Sequence, residues 1–549
     1  MSSVLRIPAK ESLRVEFKSE RSGPIDDSVI LANVVAFANT SGGTLYLGVE
    51  DDGTPTGVSR EHKNITQLAA FIFNNTVPPV QVRPTILTGD DLFVVAVSVD
   101  ESSQLTCMKN GRVVHRVLKA DGEPEVVTMY PYEFVSRLSS IGSYDYSAQP
   151  APEAVLSDLD SQARDMLREG IAKTHADDEI LSLSDVDFDG ALGLTTSQTR
   201  DGDTVPTIAG IVMIGTKQAL VHRVPTAVAT FQVMRDGSPV VDERLRMPLV
   251  RMFRRIEELL TPWNMQTEIM LGTQHANYNT YDSGAFREAV ANAFCHRDYT
   301  IMAPVRFQLD EIGLTIANPG GFMRGVNFNN LLTVSPTPRN PRLADILKRC
   351  GYVERAGRGI DRIFARTVAS GRPLPDYSQS TSEEVVLFLR NATVDESFVR
   401  LVNDLSTKRG APLPAESLIT LAALRQYGTM SEEELTRRTS LDRQRVSLSL
   451  HDLLSLNAVM SYGKDVYGPL NKKNRESNEH TVAQANSDRI IQILQLLGGS
   501  ASVPQIAKHY GKSYVTTLRL LKRMESEGLV NHRGNTRMSE YFLAMTTNS

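Results

Sequence analysis

Apolar and polar positions change rhythm several times along the chain, and each change marks a different structural unit. Residues 11 to about 138 read as a mixed α/β unit, with helical spacing over 30–37, an SGG turn at 41–43 and an apolar strand over 44–49 that runs into EDDG. Strand-like runs follow at 92–99 and 112–117. The stretch SYDYSAQPAPEAV, residues 143–155, has the Pro/Ala/Ser composition of a connector and predicts the first boundary. From about 156 to 390 the mixed pattern resumes. Strand-like runs stand at 208–214 and 227–233, an amphipathic segment at 249–260, a helix at 285–294 and alternating strands at 305–309 and 314–317, before NPGG breaks the pattern at 318–321.

Beyond about 400 the pattern becomes helices joined by short polar turns, and an internal repeat emerges. Residues 416–470 read as a helix over 417–426, a second helix opened by the N-cap residue Ser431 with glutamates behind it, a third over 442–456, and then alternating VMSYGKDVYG. Residues 487–545 repeat the order with helices over 489–497, 503–510 and 514–527, then a hairpin-like run centred on Gly534. The polar stretch NKKNRESNEHTVAQAN separates the copies. Helices followed by a Gly-centred hairpin predict two winged-helix domains, 400–470 and 486–549.

Composition narrows the class without changing this picture. At 549 residues the chain calls for several domains. Its 41% apolar and 22% charged content is that of globular domains with real cores. A net charge of -5 excludes a chain that is basic throughout, so a polyanion-binding surface has to be local. Cys107, Cys295 and Cys350 are too few and too dispersed for a disulfide framework or a zinc cluster. The charged N-terminus and the absence of any long apolar run predict a cytoplasmic protein away from the membrane.

The second repeat is the better DNA-binding candidate. Its third helix offers Ser513, Tyr514, Thr516, Thr517, Arg519, Lys522 and Arg523, and its hairpin adds Arg533 and Arg537. Short polar and cationic side chains of this kind suit groove insertion and phosphate contact, with affinity that falls as salt rises. The first repeat has Arg443, Gln444, Arg445 and Ser447 on the corresponding helix, diluted by Asp442 and Asp452, and reads as a weaker reader or a dimerising partner. Winged helices also serve as protein-interaction modules, so fold alone does not decide between these uses.

In the middle unit, EAVANAFCHRDY places Glu288, Asn292 and His296 at successive i, i+4 steps on one helical stripe. Burying such a stripe is costly unless it binds something or forms a satisfied internal network, and both readings stand. NPGG, and ERAGRG at 354–359, are glycine turns able to present backbone N–H groups to an anion. With PRNPRLADIL and YVERAGRGI, these motifs resemble the ATP-binding domain of the GHKL superfamily, in its divergent bacterial branch labelled as helicase-related transcriptional regulators. That resemblance implies ATP and Mg²⁺ as cofactors, with Glu288 as the base that orients water and Asn292 as the Mg²⁺ ligand. It also implies that His296, Asn318, Gly320 and Gly321 belong to the nucleotide site, and that Gly357 and Gly359 form the phosphate-side lid. The superfamily's adenine-reading aspartate is here Asn318, which carries no charge, and this departure favours binding over turnover. The sequence has no GxxxxGK[ST] phosphate loop, so no helicase activity is expected.

In the first unit, ESLRVEFKSE brings Glu11 and Glu16 ahead of a strand, and the next strand ends in Glu50, Asp51 and Asp52. Carboxylates at adjacent strand ends can hold a divalent metal that activates water against phosphate; the blander account is a solvated face and an ordinary Asp-Gly turn, and binding is favoured over cutting. ESLRVEFK, NVVAFANTSGGTLYLGVEDDG and GRVVHRV resemble the Schlafen AlbA-type domain over most of 11–138. In RNA-cutting Schlafen relatives two glutamates and an aspartate carry the metal, and Glu11, Glu16 and Asp51 match them.

The expected architecture is therefore multidomain, α/β plus α+β: an AlbA-type domain (11–138), a GHKL-like ATPase sandwich (156–390) and two winged helices. The expected function is that of a dimeric, DNA-binding transcriptional regulator with a nucleotide-binding middle domain, double-stranded DNA being the main partner and RNA a second. The alternative is a metal-dependent nuclease gated by the middle domain.

Overall fold

In the computed structural model the described residues are 3–543, except 5–6, 90–91, 176, 198–202, 272–273, 336, 354–358, 464, 471–486, 488–489, 492, 496, 498, 511–513, 527–528 and 534–539. Backbone contacts divide the chain into two units, 1–422 with 436–445 and 423–435 with 446–549.

Helix Asp27–Asn39 starts where Asp26 accepts a hydrogen bond from the Ser28 amide. It buries Ile30, Val34 and Phe37 against Leu45, Leu47, Val95 and Val97 of a mixed sheet. Each fully buried side chain of this size contributes about 1.5–3 kcal/mol. The described strands of that sheet run in the order Ser3–Val4, Val82–Gly89, Leu92–Val99, Gly43–Leu47, Val15–Lys18. Val15–Lys18 lies parallel to Gly43–Leu47, and this register sets Glu16 beside Leu45.

The middle sheet orders its described strands as Ser238–Leu245, Ala229–Arg235, Val305–Leu309, Gly313–Pro319, Glu384–Arg390. Helix Ser283–His296 packs on strand Gly313–Pro319 and against helix Gly359–Ala369. The polar motif and the NPGG turn are thereby brought to one side of the sheet.

Two expectations are corrected here. Residues 208–214 form helix Ile208–Ile214 rather than a strand, capped where the Thr207 hydroxyl accepts from the Gly210 amide. Residues 143–155 do not behave as a free connector. Ser147, Ala151 and Ala154 are buried, and the Asp145 carboxylate and Ser147 hydroxyl accept from the Arg342 and Leu343 amides at the start of helix Pro341–Arg349.

In the first repeat, Ser431 opens helix Glu432–Thr439 through a reciprocal capping box, the Glu434 amide donating to its hydroxyl and its own amide donating to the Glu434 carboxylate. Strands Val459–Gly463 and Val466–Pro469 form an antiparallel pair, with Met430–Ser431 joined to the second of them. The second repeat has helices Val503–Tyr510 and Tyr514–Ser526 and a sheet in the order Ser500–Ser502, Glu540–Leu543, Val530–Arg533. Its core gathers Ile490, Leu494, Ile506, Leu521, Met524 and Tyr541. The helix expected over 489–497 lies partly outside the described residues, and Gly534 lies wholly outside them.

Candidate functional site

Helix Ser283–His296 is capped where Asp282 accepts from the Ala285 amide, and it buries Ala285, Phe286, Ala289, Ala293 and Phe294. That packing turns Glu288, Asn292 and His296 into a common cavity of about 580 Å³. Asn318 and Gly321 of the NPGG turn, and Gly359, line the same cavity. Gly320 holds φ at +93° and Gly321 is pressed against the Ser382 carbonyl, so this turn demands glycine at both places. A side chain at Gly359 would collide with the Glu288 carboxylate, its Cβ falling 2.1 Å from Oε1. Gly357 and the rest of 354–358 lie outside the described residues.

The distinctive property of this cavity is unmet hydrogen bonding. Glu288 Oε1 and the side-chain nitrogens of Asn292 and Asn318 are buried with no partner among the described residues. Glu288 and Asn318 are each only 5% exposed. Most buried polar groups are bonded, and leaving one unbonded costs about 1–3 kcal/mol, so three in one cavity call for a ligand or water. Among the described residues, therefore, the cluster does not satisfy itself. Burial raises the Glu288 carboxyl above the ordinary carboxylate value, with Arg362 opposing that shift. Burial, together with the like charge of Arg339, pushes the His296 imidazole down to about 4.

Behind the cavity stand residues whose role the sequence did not single out. Arg339 pairs with Asp298 at 3.5 Å and donates to the Gly321 and His296 carbonyls, holding the glycine turn against the helix end. Asn340 donates to the Cys295 and Arg297 carbonyls. Ser136 of helix Pro131–Ser140 donates to Asp298 at 2.5 Å, joining the first α/β unit to this scaffold. HRD and PRN were visible as motifs, but their pairing is a tertiary fact.

Arg445 requires a correction. In the sequence its helix reads as a weaker DNA reader or a dimerising partner, yet its guanidinium lines the cavity and donates to Asp361, Glu416 and the Leu332 carbonyl.

The N-terminal carboxylates are organised otherwise. Glu16 is 7% exposed and is met by Arg116 at 2.7 Å and Lys18 at 2.5 Å. Arg116 is itself buried, stacked 4.7 Å over the Phe37 ring and bonded to the Ser12 carbonyl. Glu11 accepts from the Phe17 amide, and burial raises its carboxyl, with the charges of Glu16 and Asp51 adding to that shift. Asp51 lies exposed in the 50–53 turn, where the Gly53 amide donates to the Glu50 carbonyl. Among the described residues no group of three or more His, Cys, Asp or Glu side chains is arranged to hold a metal ion. Of the three carboxylates Glu11, Glu16 and Asp51, Glu16 is thus paired with two cations.

In the C-terminal helix and hairpin, Arg519, Lys522, Arg523 and Arg533 are exposed. Thr517, by contrast, is fully buried and is withdrawn from the DNA-facing set. It belongs to the i, i+4, i+7 stripe with Leu521 and Met524, which faces the core. Ser513 and Arg537 lie outside the described residues, and for Tyr514 and Thr516 only the helical backbone is described.

Segments of the chain match known family models. Residues 11–123 match the family model "Schlafen, AlbA_2", residues 306–389 match "Putative ATP-dependent DNA helicase recG C-terminal", and residues 137–230 match a domain of unknown function, DUF8451. The chain thus carries an AlbA-type domain and a divergent ATPase domain of the helicase-related kind. The second match covers the NPGG strand and begins after the helix that bears Glu288 and Asn292. Among solved structures, that of the DIP2311 protein from Corynebacterium diphtheriae is similar at 20% identity, with 83% of this chain and 92% of that chain covered and a TM-score of 0.48. No curated protein matches. Among the described residues no helix is long and apolar enough to cross a membrane.

Proposed function

We propose that the protein is a DNA-binding transcriptional regulator whose middle domain binds a nucleotide without turning it over. One observation carries the nucleotide part: a cavity of about 580 Å³ in the ATPase-like region, lined by Glu288, Asn292 and Asn318 with buried polar atoms left unbonded. Unbonded groups of this kind discriminate strongly for a ligand that completes them. Asn318 fits the base of a nucleotide, since its amide both donates and accepts. Asn292 is the residue that would hold Mg²⁺, whose charge would offset that of the phosphates. Burial raises the Glu288 carboxyl, which makes its carboxylate a stronger base and not a weaker one, so binding over hydrolysis is favoured by the uncharged Asn318 in place of the superfamily's aspartate.

The DNA part is supported by the exposed cations Arg519, Lys522, Arg523 and Arg533, by the helix-then-sheet order of both repeats, which suits winged helices, and by the AlbA-type domain. Paired modules of this type suit a homodimer reading paired half-sites of duplex DNA in the cytoplasm. Cutting of RNA or DNA is disfavoured by the double pairing of Glu16.

Thermal melting of the full chain tests the cavity. Millimolar ATP with Mg²⁺ should raise the melting temperature of the wild type and leave Asn292→Ala unmoved. Fluorescence anisotropy against labelled duplex DNA should give binding that weakens steeply with salt; no binding at low salt contradicts the regulator. Labelled tRNA and DNA should survive incubation with Mn²⁺, and cleavage that EDTA abolishes and that is lost in a variant at the exposed Asp51, Asp51→Ala, overturns the proposal in favour of a nuclease.

A further inference from the structure

Among the described residues lining the cavity, Arg445 is the only arginine or lysine, and it shares the cavity with the carboxylates of Glu288, Asp361 and Glu416. Its Nη2 donates to Asp361 Oδ2 at 3.1 Å and to Glu416 Oε1 at 2.7 Å, while Nη1 donates to the Leu332 carbonyl. Asp361 stands in the first turn of helix Gly359–Ala369, and the first residue of that helix abuts the Glu288 carboxylate. The guanidinium is therefore at the end of the cavity where an 11-residue helix begins and where Glu288 Oε1 lies buried and unbonded.

Helix starts favour anions, and a guanidinium binds phosphate oxygens with two parallel donors. Among the described residues lining this end of the cavity one guanidinium faces several carboxylates, so a polyphosphate gains there when the arginine is redirected toward it. Redirection gives up mostly buried pairs, the Asp361 and Glu416 side chains being 15% and 29% exposed, so the contacts to the phosphate have to outweigh that loss.

We propose that Arg445 reads the terminal phosphate of a bound nucleoside triphosphate. Without ligand it rests on Asp361 and Glu416; a triphosphate draws the guanidinium onto its own oxygens, and a diphosphate is too short to do so. Release from the Leu332 carbonyl then frees the 331–335 wall of the cavity to adjust around the ligand. This inference rests on the nucleotide reading above and assigns the residue by which that site tells one nucleotide from another.

The test is isothermal titration of the full chain with the diphosphate and a non-hydrolysable triphosphate of adenosine, both with Mg²⁺. The wild type should favour the triphosphate by about tenfold or more. Arg445→Ala should bring the two affinities together by weakening the triphosphate while leaving the diphosphate within about threefold. Glu416→Gln, which loosens the resting contact, should tighten the triphosphate. Discrimination retained in Arg445→Ala, or absent in the wild type, overturns this inference and leaves the nucleotide reading intact. A wild type that binds neither compound overturns both. If Arg445→Ala does not fold, Glu416→Gln decides: a triphosphate affinity equal to that of the wild type counts against the proposal.

Discussion

Glu16 and Glu288 are buried to the same depth, 7% and 5% exposed, in two α/β regions of the same chain, yet their surroundings are opposite. Two cations meet Glu16, one of them buried, and its neighbour Glu11 takes a backbone amide. Glu288 has an oxygen with no partner among the described residues, faces two asparagine amides in the same condition, and opens on a cavity. A carboxylate compensated within the fold is part of the framework, whereas one left uncompensated beside a cavity costs stability that a ligand can restore. Motif resemblance marks both as candidate chemical sites; their bonding differs.

The sharpest way to break this comparison is to remove Glu16. Glu16→Ala leaves the buried Arg116 without its carboxylate and should cost about 3–5 kcal/mol of stability in urea unfolding. A loss under about 1 kcal/mol would mean that Glu16 is not a framework residue. The next effect is on the ligand side: at a hundredfold excess over Kd, nucleotide should add about 2.7 kcal/mol to the wild type, and Asn292→Ala should lose that gain while its ligand-free stability changes little. Smaller still is Glu288→Gln, expected to shift stability by no more than about 1 kcal/mol, because the group it replaces is already unbonded. Its signature is in pH. A carboxyl whose folded value is raised above the ordinary 4.5 keeps its proton in the folded chain while the unfolded chain has lost it, so stability falls as pH rises from 4.5 through the folded value. Glu288→Gln should flatten that fall, and an unchanged slope would contradict the burial of a strained carboxyl. The smallest contrast is in the C-terminal repeat. Arg533→Ala should leave melting unchanged and lower the salt dependence of DNA binding by about one counterion. Thr517→Ala should cost about 1 kcal/mol of stability and leave that dependence alone.

Much of this organisation was legible in the sequence. The i, i+4 stripe of Glu288, Asn292 and His296 does line one cavity, because helix Ser283–His296 has small and apolar residues on the rest of its surface. The NPGG turn required its glycines for steric reasons a sequence can announce. What escaped were choices between partners. The run at 208–214 is apolar throughout, and such a run has no periodicity to tell helix from strand; the Thr207 cap decides it. The Pro/Ala/Ser stretch at 143–155 looked like a connector because small residues suit both loops and tight packing, and here they pack. Thr517 has the polarity of a groove-facing residue, but its spacing to Leu521 and Met524 puts it on the core face. Arg445 shows the limit most plainly, since a cation in the first turn of a helix suits DNA and carboxylates alike and only the tertiary structure brings Asp361 and Glu416 to it.

The central claim, that the uncompensated cavity is a working nucleotide site, is tested most directly by equilibrium dialysis of the full chain against radiolabelled ATP with Mg²⁺. Saturable, stoichiometric retention by the wild type that disappears in Asn292→Ala is the predicted result. No retention by the wild type at millimolar nucleotide would contradict it.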